Sequence, residues 1–386
     1  MTDPATSLHE LLKSHVDSGP LPGAVALVAR HNRVAVQAVG SLDAAGTTPM
    51  TRDTIFRIAS LTKPIIAAAV MLLVEDGRFA LGDPVGRWLP ELAAPYAVRS
   101  PTGPIEDVVP VTRPITVFDL LTFRAGYGFP SDFSLPAVGP LFTELTQGPP
   151  QPQLVPAPDE WLARLARIPL LYQPGEAWLY NTCSDILGVL IARVSGRSLP
   201  DFLADRLFEP LGMVDTGFAV PRGRLDRFAY CYRGTSTGGL DLVDPPAGQW
   251  SSPPAFPSGA GGLVSTVDDC HAFARLLLGE GTVDGRQVLT PASVRRMTTD
   301  HLTAPQRDAA HLFLEGQGWG FGGSVDVAAV DPWNVPGRYG WVGGTGTAAH
   351  IVPSTGTATI LLTQFEMSGP TPPTLMRDFW HLAAGL

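Results

Sequence analysis

Strand-like segments occur at both ends of this 386-residue chain, and helical patterns fill the sequence between them. Residues 23–30 and 33–39 are two runs rich in alanine and β-branched side chains, separated by His31 and Asn32, which indicates an early hairpin. Later strand signals occur at residues 325–330, 348–352 and 357–363. This arrangement predicts one sheet in which the early hairpin pairs with the late strands.

The segment 61–77 is apolar on almost all sides until Glu75, Asp76 and Gly77 end it, as expected of a helix buried inside a protein. From about residue 90 to residue 174, proline, glycine and loop residues indicate an inserted region. Further helices are predicted at residues 118–123, 160–167, 185–195 (ended by Gly196), 199–208, 268–278 and 378–384. We therefore expect a sheet-containing α/β domain formed by residues 1–89 and 209–386, and a helical, loop-rich domain formed by residues 90–208.

Charge and hydropathy argue against two classes of partner. Lys and Arg number 27 against 36 Asp and Glu, a formal net charge of −9 without a basic patch, so nucleic acid binding is not expected. The longest apolar run, residues 64–74, is shorter than the roughly 20 residues that cross a bilayer, so no membrane span is expected. The N-terminus lacks the pattern of a secretory signal, and three cysteines without metal-ligand spacing suit a reducing compartment; we expect a cytoplasmic protein.

Lys63 is one of only two lysines in the chain, and it lies three positions after Ser60 at the start of the apolar helix. Positions three apart share a helix face, so the two side chains are expected to be neighbours. Burial lowers the pKa of a lysine, and a helix start favours developing negative charge, so this pair can form a nucleophile with its proton acceptor. The simpler alternative is that Ser60 caps the helix and Lys63 extends to solvent.

The segment Ser60-Leu61-Thr62-Lys63 resembles the S-x-x-K motif of the serine β-lactamases and penicillin-binding proteins. Similarity to the class C branch continues at residues 118–126, 174–176, 210–213 and 259–266. Within that branch the sequence is most similar to the family VIII carboxylesterases and related transesterases. The resemblance implies an α/β (α+β) fold of the β-lactamase and DD-peptidase type, with an antiparallel sheet flanked by helices and a mostly helical insertion domain.

The same resemblance implies that Tyr180 helps to remove the proton of Ser60. Class C enzymes usually have Tyr-x-Asn, whereas here Asn181 comes one position early and Thr182 takes the asparagine position, which disfavours a β-lactam substrate. Ionising a phenol at pH 7 costs roughly 4 kcal/mol. An ammonium about 4 Å away, at an effective dielectric of about 20, returns a similar amount. Lys63 is therefore expected to make Tyr180 a usable base.

The third motif of the family, Lys-Thr-Gly, has no lysine in this chain, and residues 339–346 resemble the Trp-x-Gly variant of the esterases. The resemblance implies that Trp341 and Gly343 lie at the substrate site. It also implies that the backbone N–H groups of Ser60 and Gly344 form an oxyanion hole. Trp341 would offer an apolar wall where a cation is usual, so neutral esters are expected to be preferred over anionic substrates.

Two other kinds of chemistry, that of the α/β-hydrolases and that of metal sites, are disfavoured by the sequence. Residues 234–238 match the G-x-S-x-G motif of α/β-hydrolases, but the sequence that follows is poorly suited to a helix, which favours a polar loop. The histidines are scattered without the H-E-x-x-H spacing, so neither a metal nor a cofactor is expected.

The leading hypothesis is a serine hydrolase that uses Ser60, Lys63 and Tyr180 to cleave small esters through an acyl-enzyme, and that can pass the acyl group to an alcohol or amine. Two alternatives stay open. One is an amide, peptide or β-lactam hydrolase of the same fold, and the other is a non-catalytic member that binds a peptide or cell-wall fragment. The expected partner is a small-molecule ester or amide, and the sequence leaves the oligomeric state open.

Overall fold

The computed structural model describes residues 3–31, 33–148 and 151–386. Its α-helices are α1 (Pro4–Ser18), α2 (Thr62–Glu75), α3 (Val117–Leu121), α4 (Gly139–Thr143), α5 (Pro158–Leu165), α6 (Thr182–Ser195), α7 (Leu199–Leu203), α8 (Glu209–Leu211), α9 (Val267–Leu278), α10 (Pro291–Met297), α11 (Ala304–Ala309), α12 (His311–Leu314) and α13 (Thr374–Gly385). Its strands are β1 (Gly23–Arg30), β2 (Arg33–Gly40), β3 (Phe56–Arg57), β4 (Tyr96–Val98), β5 (Val108–Pro110), β6 (Cys231–Gly234), β7 (Leu240–Asp244), β8 (Val264–Ser265), β9 (Thr282–Val283), β10 (Arg286–Gln287), β11 (Gly318–Trp319), β12 (Ser324–Val325), β13 (Tyr339–Gly343), β14 (Thr347–Val352) and β15 (Thr357–Thr363).

Seven strands form one antiparallel sheet in the order β11-β12-β13-β14-β15-β1-β2. The early strand β1 pairs with the late strand β15, so that Ala24 lies opposite Thr363 and Arg30 lies opposite Thr357. The predicted hairpin is confirmed as β1 and β2, and Asn32 in its turn lies outside the described residues. The sheet thus joins segments from both ends of the chain, as the sequence predicted.

Both faces of β1 are buried, which explains why its sequence is a continuous apolar run rather than an alternating one. Val25 and Leu27 point into a large apolar core that also contains α2, α6 and α9. Ala26 points to the opposite face, where Leu12 of α1 and Phe379 of α13 cover the sheet. The sheet is therefore enclosed between two helical layers.

Helix α2 is the predicted buried helix, and its residues from Thr62 to Leu73 are all buried. It packs beside α6 in the large core. A short 3-10 turn, Ala59–Leu61, leads directly into α2. This turn places Ser60 at the N-terminal end of the helix, next to the late strands of the sheet.

The prediction of a strand at residues 325–330 is wrong beyond Val325, where β12 ends. The next residue, Asp326, is buried, and its carboxylate accepts hydrogen bonds from Asn334 Nδ2 at 3.0 Å and from the backbone N–H of Val335 at 3.1 Å. These bonds hold the following segment as a loop that returns towards β13. The predicted helix 199–208 is also composite, since α7 continues into a π-helical segment, Ala204–Phe208.

The two-domain division at residues 90 and 208 stays a prediction. The segment between those residues contains α3 to α6, α7 and the short strand pair β4–β5. Val70, Leu120 and Ile186 belong to the same apolar core, so this core is continuous across the predicted boundaries. Among the described residues, no helix combines the length and apolar character needed to cross a bilayer.

Candidate active site

Ser60 lies in a strained turn. The preceding residue, Ala59, has a φ of +44°, a left-handed conformation that is uncommon for residues other than glycine. The hydroxyl of Thr62 donates a hydrogen bond of 2.7 Å to the carbonyl of Ala59 and so holds this conformation from the first turn of α2. Strain of this kind occurs at sites where surrounding contacts fix the backbone, and here it sets the direction of the Ser60 side chain.

The turn between β13 and β14 supports the residues that precede Ser60. Thr345 Oγ1 donates to the carbonyl of Arg57 at 2.5 Å, and Thr347 Oγ1 donates to the carbonyl of Ile58 at 3.0 Å. A Cβ atom on Gly343 would lie 2.5 Å from the Ile58 carbonyl oxygen, so only glycine allows this approach. Gly343 is therefore a packing residue that brings the end of β13 against the Ser60 turn.

Lys63 is completely buried, with its amine directed at Ser60. Its Nζ lies 2.8 Å from Ser60 Oγ and donates a second hydrogen bond of 2.6 Å to the carbonyl of Ala260. Burial lowers the pKa of Lys63 to about 7, so the neutral amine is well populated near neutral pH. The alternative in which Lys63 extends to solvent is excluded, and the predicted lowering of its pKa is confirmed.

Tyr180 provides the second polar contact to Ser60. Its hydroxyl donates to Ser60 Oγ at 2.9 Å, and it accepts a hydrogen bond of 2.7 Å from the indole Nε1–H of Trp341. The ring packs among aromatic side chains, and the Phe313 centroid lies 4.7 Å away. This burial raises the pKa of Tyr180 to about 12, although both hydrogen bonds act in the opposite direction.

The sequence-based expectation that Lys63 turns Tyr180 into a base is therefore wrong for the free protein. Lys63 Nζ faces the ring of Tyr180, 4.6 Å from the ring centroid, and loss of hydration on burial dominates the pKa of the phenol. Tyr180 keeps its proton near neutral pH and acts as a hydrogen-bond donor. Of the two groups that contact Ser60, Lys63 is the one able to accept a proton.

Local backbone structure fixes Tyr180 at the start of α6. Tyr180 and Phe129 exchange two backbone hydrogen bonds of 2.9 Å, and Asn181 then adopts a φ of +82° before the helix begins. Thr182, which occupies the position of the class C asparagine, is fully buried and donates to Gln147 Oε1 at 2.8 Å. Its side chain thus supports a neighbouring loop and does not line the cavity beside Ser60.

Ser60 and Gly344, whose backbone N–H groups were predicted to form the oxyanion hole, border the same cavity. Within the described part of the chain, neither N–H donates a hydrogen bond. No atom lies within 4 Å of the position that a Cβ on Gly344 would take, so the approach to its backbone is open. The arrangement leaves two donors free for an oxygen atom bound next to Ser60 Oγ.

Trp341 takes a position that the sequence did not indicate. It is buried, and it does not line the cavity that Ser60 borders. Its indole N–H instead contacts the phenol oxygen of Tyr180, and its ring packs edge-on against Trp319 with centroids 4.7 Å apart. In the structure Trp341 supports Tyr180, and the expectation that it also forms an apolar wall of the substrate site stays a prediction.

The cavity beside Ser60 has a volume of about 220 Å³ and is largely apolar. Its apolar and aromatic lining residues include Phe129, Leu145, Val155, Trp161, Trp250 and Phe256. Among the described lining residues there is no lysine or arginine, and Asp185 is the only charged side chain. Across the described chain, no group of three or more His, Cys, Asp or Glu side chains is arranged to hold a metal ion.

Asp185 is a site residue that the sequence reasoning did not identify. It lies on α6, is buried, and accepts hydrogen bonds from Ser258 Oγ at 2.6 Å and from the backbone N–H of Ala260 at 3.0 Å. Burial raises the pKa of its carboxyl group. The sequence feature that could have identified Asp185 is its position as the single carboxylate in α6, five residues after Tyr180.

The G-x-S-x-G segment at residues 234–238 lies at an exposed turn between β6 and β7. Strand β7 follows it, and no helix starts there. Ser236 is exposed and does not border the cavity beside Ser60. The interpretation of this segment as a loop is confirmed.

Comparison with known proteins identifies the family to which the chain belongs. The family model described as Beta-lactamase matches residues 8–377. Esterase EstB of Burkholderia gladioli is 32% identical over 375 residues, covering 92% of this chain and 88% of EstB. Protein Rv1367c of Mycobacterium tuberculosis is 40% identical over 349 residues, covering 88% of this chain and 84% of that protein.

Among solved structures, the chain is similar to EstCE1, described as a hydrolase with promiscuous acyltransferase activity. The TM-score is 0.80 at 28% sequence identity, and the alignment covers 98% of both chains. The β-lactamase-like fold expected from the sequence is thereby confirmed.

Proposed function

Since the chain belongs to the beta-lactamase family and is a serine hydrolase, we propose that it cleaves neutral carboxylic esters through an acyl-enzyme on Ser60. The observation that carries this proposal is the position of Ser60 Oγ, within hydrogen-bond distance of Lys63 Nζ and Tyr180 OH. EstB is named an esterase, and EstCE1 is described as a hydrolase with acyltransferase activity, which supports the same class of substrate here.

In the proposed first step, Ser60 Oγ attacks the ester carbonyl carbon while its proton moves to the neutral amine of Lys63. The carbonyl oxygen becomes an oxyanion, which the N–H groups of Ser60 and Gly344 stabilise. Donors of this kind are typically worth about 3 kcal/mol each in the transition state. Lys63 ends this step as an ammonium that donates to the carbonyl of Ala260.

The second step releases the alcohol. The bond between the carbonyl carbon and the alcohol oxygen breaks, and the Tyr180 hydroxyl, which borders the cavity, gives its proton to the departing oxygen. The proton on Lys63 then restores the phenol. Water then attacks the acyl carbon and gives a proton to Lys63, the bond between this carbon and Ser60 Oγ breaks, and Lys63 returns the proton to Ser60 Oγ. An alcohol in the place of water would accept the acyl group.

The lining of the cavity supports an uncharged substrate. A carboxylate bound there would meet no lysine or arginine among the described lining residues and would be repelled by an ionised Asp185. Apolar and aromatic side chains instead favour aliphatic or aromatic groups, whose burial contributes roughly 25 cal/mol per Å². We therefore propose short or medium acyl chains on neutral alcohols as the substrate class.

Wild-type protein treated with a fluorophosphonate is expected to gain one adduct, located by peptide mapping to Ser60.

With 4-nitrophenyl butyrate and nitrocefin as substrates, we expect kcat/KM for the ester to be at least about a hundredfold higher, because the anionic β-lactam lacks a counterion in the cavity. Stopped-flow or steady-state absorbance measures both rates.

Comparable rates on the two substrates would favour the β-lactam or amide hydrolase instead. Failure to label Ser60, together with intact ligand binding, would support the non-catalytic alternative.

The contact between Trp341 and Tyr180 predicts a specific effect on kcat. Trp341→Phe keeps an aromatic ring but removes the N–H that donates to the phenol oxygen. A single hydrogen bond contributes about 0.5–1.5 kcal/mol, so kcat should fall about three- to tenfold. KM should change little, because Trp341 does not line the cavity.

Trp88→Phe, on a residue that does not line the cavity beside Ser60, is the matched control and should leave both constants unchanged. A raised KM with unchanged kcat in Trp341→Phe would instead support the substrate-wall interpretation.

The cytoplasmic location and the membership of family VIII are also proposals. Cys183, Cys231 and Cys270 are buried free thiols, which suits a reducing compartment. Cell fractionation tests the first proposal.

A further inference from the structure

Asp185 is linked to Lys63 through a single residue, Ala260. The Asp185 carboxylate accepts the backbone N–H of Ala260 at 3.0 Å, and the carbonyl of Ala260 accepts a hydrogen bond from Lys63 Nζ at 2.6 Å. Ser258 Oγ strengthens the link, because it donates to the same Asp185 oxygen at 2.6 Å and accepts from the N–H of Ala260 at 3.2 Å. The position of the carboxylate thus fixes the carbonyl that orients the Lys63 amine.

Asp185 is also the charge that opposes the effect of burial on Lys63. Burial disfavours the ammonium form of Lys63, and the negative charge of Asp185 acts in the opposite direction. Within the described structure, the other titratable group that faces Lys63 is Tyr180, which stays neutral near pH 7. The segment around Ala260 contributes backbone groups and the hydroxyl of Ser258.

We propose that Asp185 is a positioning residue whose negative charge stabilises the Lys63 ammonium formed when Ser60 loses its proton. This inference rests on the proposed function, since it assigns a role in the same proton transfer. Asp185 acts on Ser60 only indirectly, through Ala260 and Lys63. It acts by holding Ala260 in place and by setting the pH at which Lys63 becomes a neutral base.

Asp185→Asn can remove the negative charge of this side chain while keeping its shape and its hydrogen bonds. The asparagine carbonyl can accept from Ser258 and Ala260 as the carboxylate oxygen does. Its NH₂ group would face Gln147 Nε2, which lies 3.4 Å from the other carboxylate oxygen. Rotation of the Gln147 amide by 180° resolves this conflict. In the wild-type protein the Thr182 hydroxyl donates to Gln147 Oε1, and after the rotation the same hydroxyl can accept from Gln147 Nε2. The variant therefore removes the charge and keeps the hydrogen bonds.

For Asp185→Asn we expect kcat on 4-nitrophenyl butyrate to fall about ten- to a hundredfold, because the developing ammonium loses its counter-charge. The acid limb of the kcat/KM profile should move to lower pH by about one unit, since Lys63 loses its proton more easily without the nearby negative charge. Rates of fluorophosphonate labelling between pH 5 and 9 should show the same shift. Asp185→Ser, which is also uncharged, repeats the test if the asparagine variant does not fold.

Asp269→Asn is the matched control. Asp269 is a buried carboxylate on α9 that accepts from the N–H of Asp215 and the hydroxyl of Thr216, and it does not line the cavity. Its replacement should leave the acid limb unmoved.

If Asp185→Asn lowers activity without moving the acid limb, the residue has only a structural role and the inference is overturned. Unchanged kcat and an unchanged limb overturn it as well. Failure of the wild-type protein to label at Ser60 would contradict the proposed function itself, which is a different outcome.

Discussion

Ser60→Ala should reduce kcat/KM for 4-nitrophenyl butyrate by about 10⁴-fold or more, because no other group can form the acyl-enzyme. The fold should persist, since Ser60 is partly exposed and does not belong to the apolar core. Steady-state absorbance measures the rate, and intact-mass analysis should show no fluorophosphonate adduct in the variant.

The exposed Ser236 offers a control for the same residue type. It lies in the segment that matches G-x-S-x-G, and Ser236→Ala should keep full activity. Activity retained by Ser60→Ala and lost in Ser236→Ala would reverse the assignment of the nucleophile.

Lys63→Met should lower kcat/KM by about 10³-fold, within the range typical of losing a general base. Methionine is similar in length and apolar, so it fits the buried position. In the wild-type protein, the base is the neutral amine. With a Lys63 pKa of about 7, activity should rise as the pH increases through 7 and level off above it. The variant should lose this limb, as measured by kcat/KM between pH 5 and 9.

The other lysine in the chain provides the matched control. Lys13 is exposed and pairs with Asp17 at 2.6 Å on α1, so Lys13→Met should keep both the rate and the pH profile. An acid limb near pH 7 that survives in Lys63→Met would assign this titration to another group and remove Lys63 from the proposed mechanism.

Local patterns in the sequence were sufficient to predict the elements that carry Ser60 and Lys63. The apolar character of α2 on all sides predicted its burial, and the three-residue spacing predicted that the two side chains meet. Strand signals at both ends of the chain also predicted that the early hairpin pairs with the late strands, as β1 and β15 do. For α2 and for the Ser60–Lys63 pair, the physical cause lies within a few consecutive residues.

The protonation of Tyr180 was not predictable in the same way. Its pKa is raised by burial, and part of that burial comes from residues such as Phe313, which is distant in sequence and packs on Tyr180 only in the folded chain. The charge of Lys63 near Tyr180 could be anticipated from the sequence, whereas the loss of hydration depends on the folded surroundings. Asp185 was missed for the same reason, because its partners Ser258 and Ala260 lie more than seventy residues later. Motif spacing locates side chains but does not give their dielectric surroundings.

The pairing of β1 with β15 affects how the chain folds during its synthesis on the ribosome. Roughly 330 residues must be added after β1 before β15 exists, which takes about 15 to 65 s at 5–20 residues per second. During that interval one edge of the β1–β2 hairpin has no native neighbour, and an unpaired apolar edge is prone to aggregation. The nascent chain should therefore depend on chaperones that shield its first hairpin until the last strand has emerged.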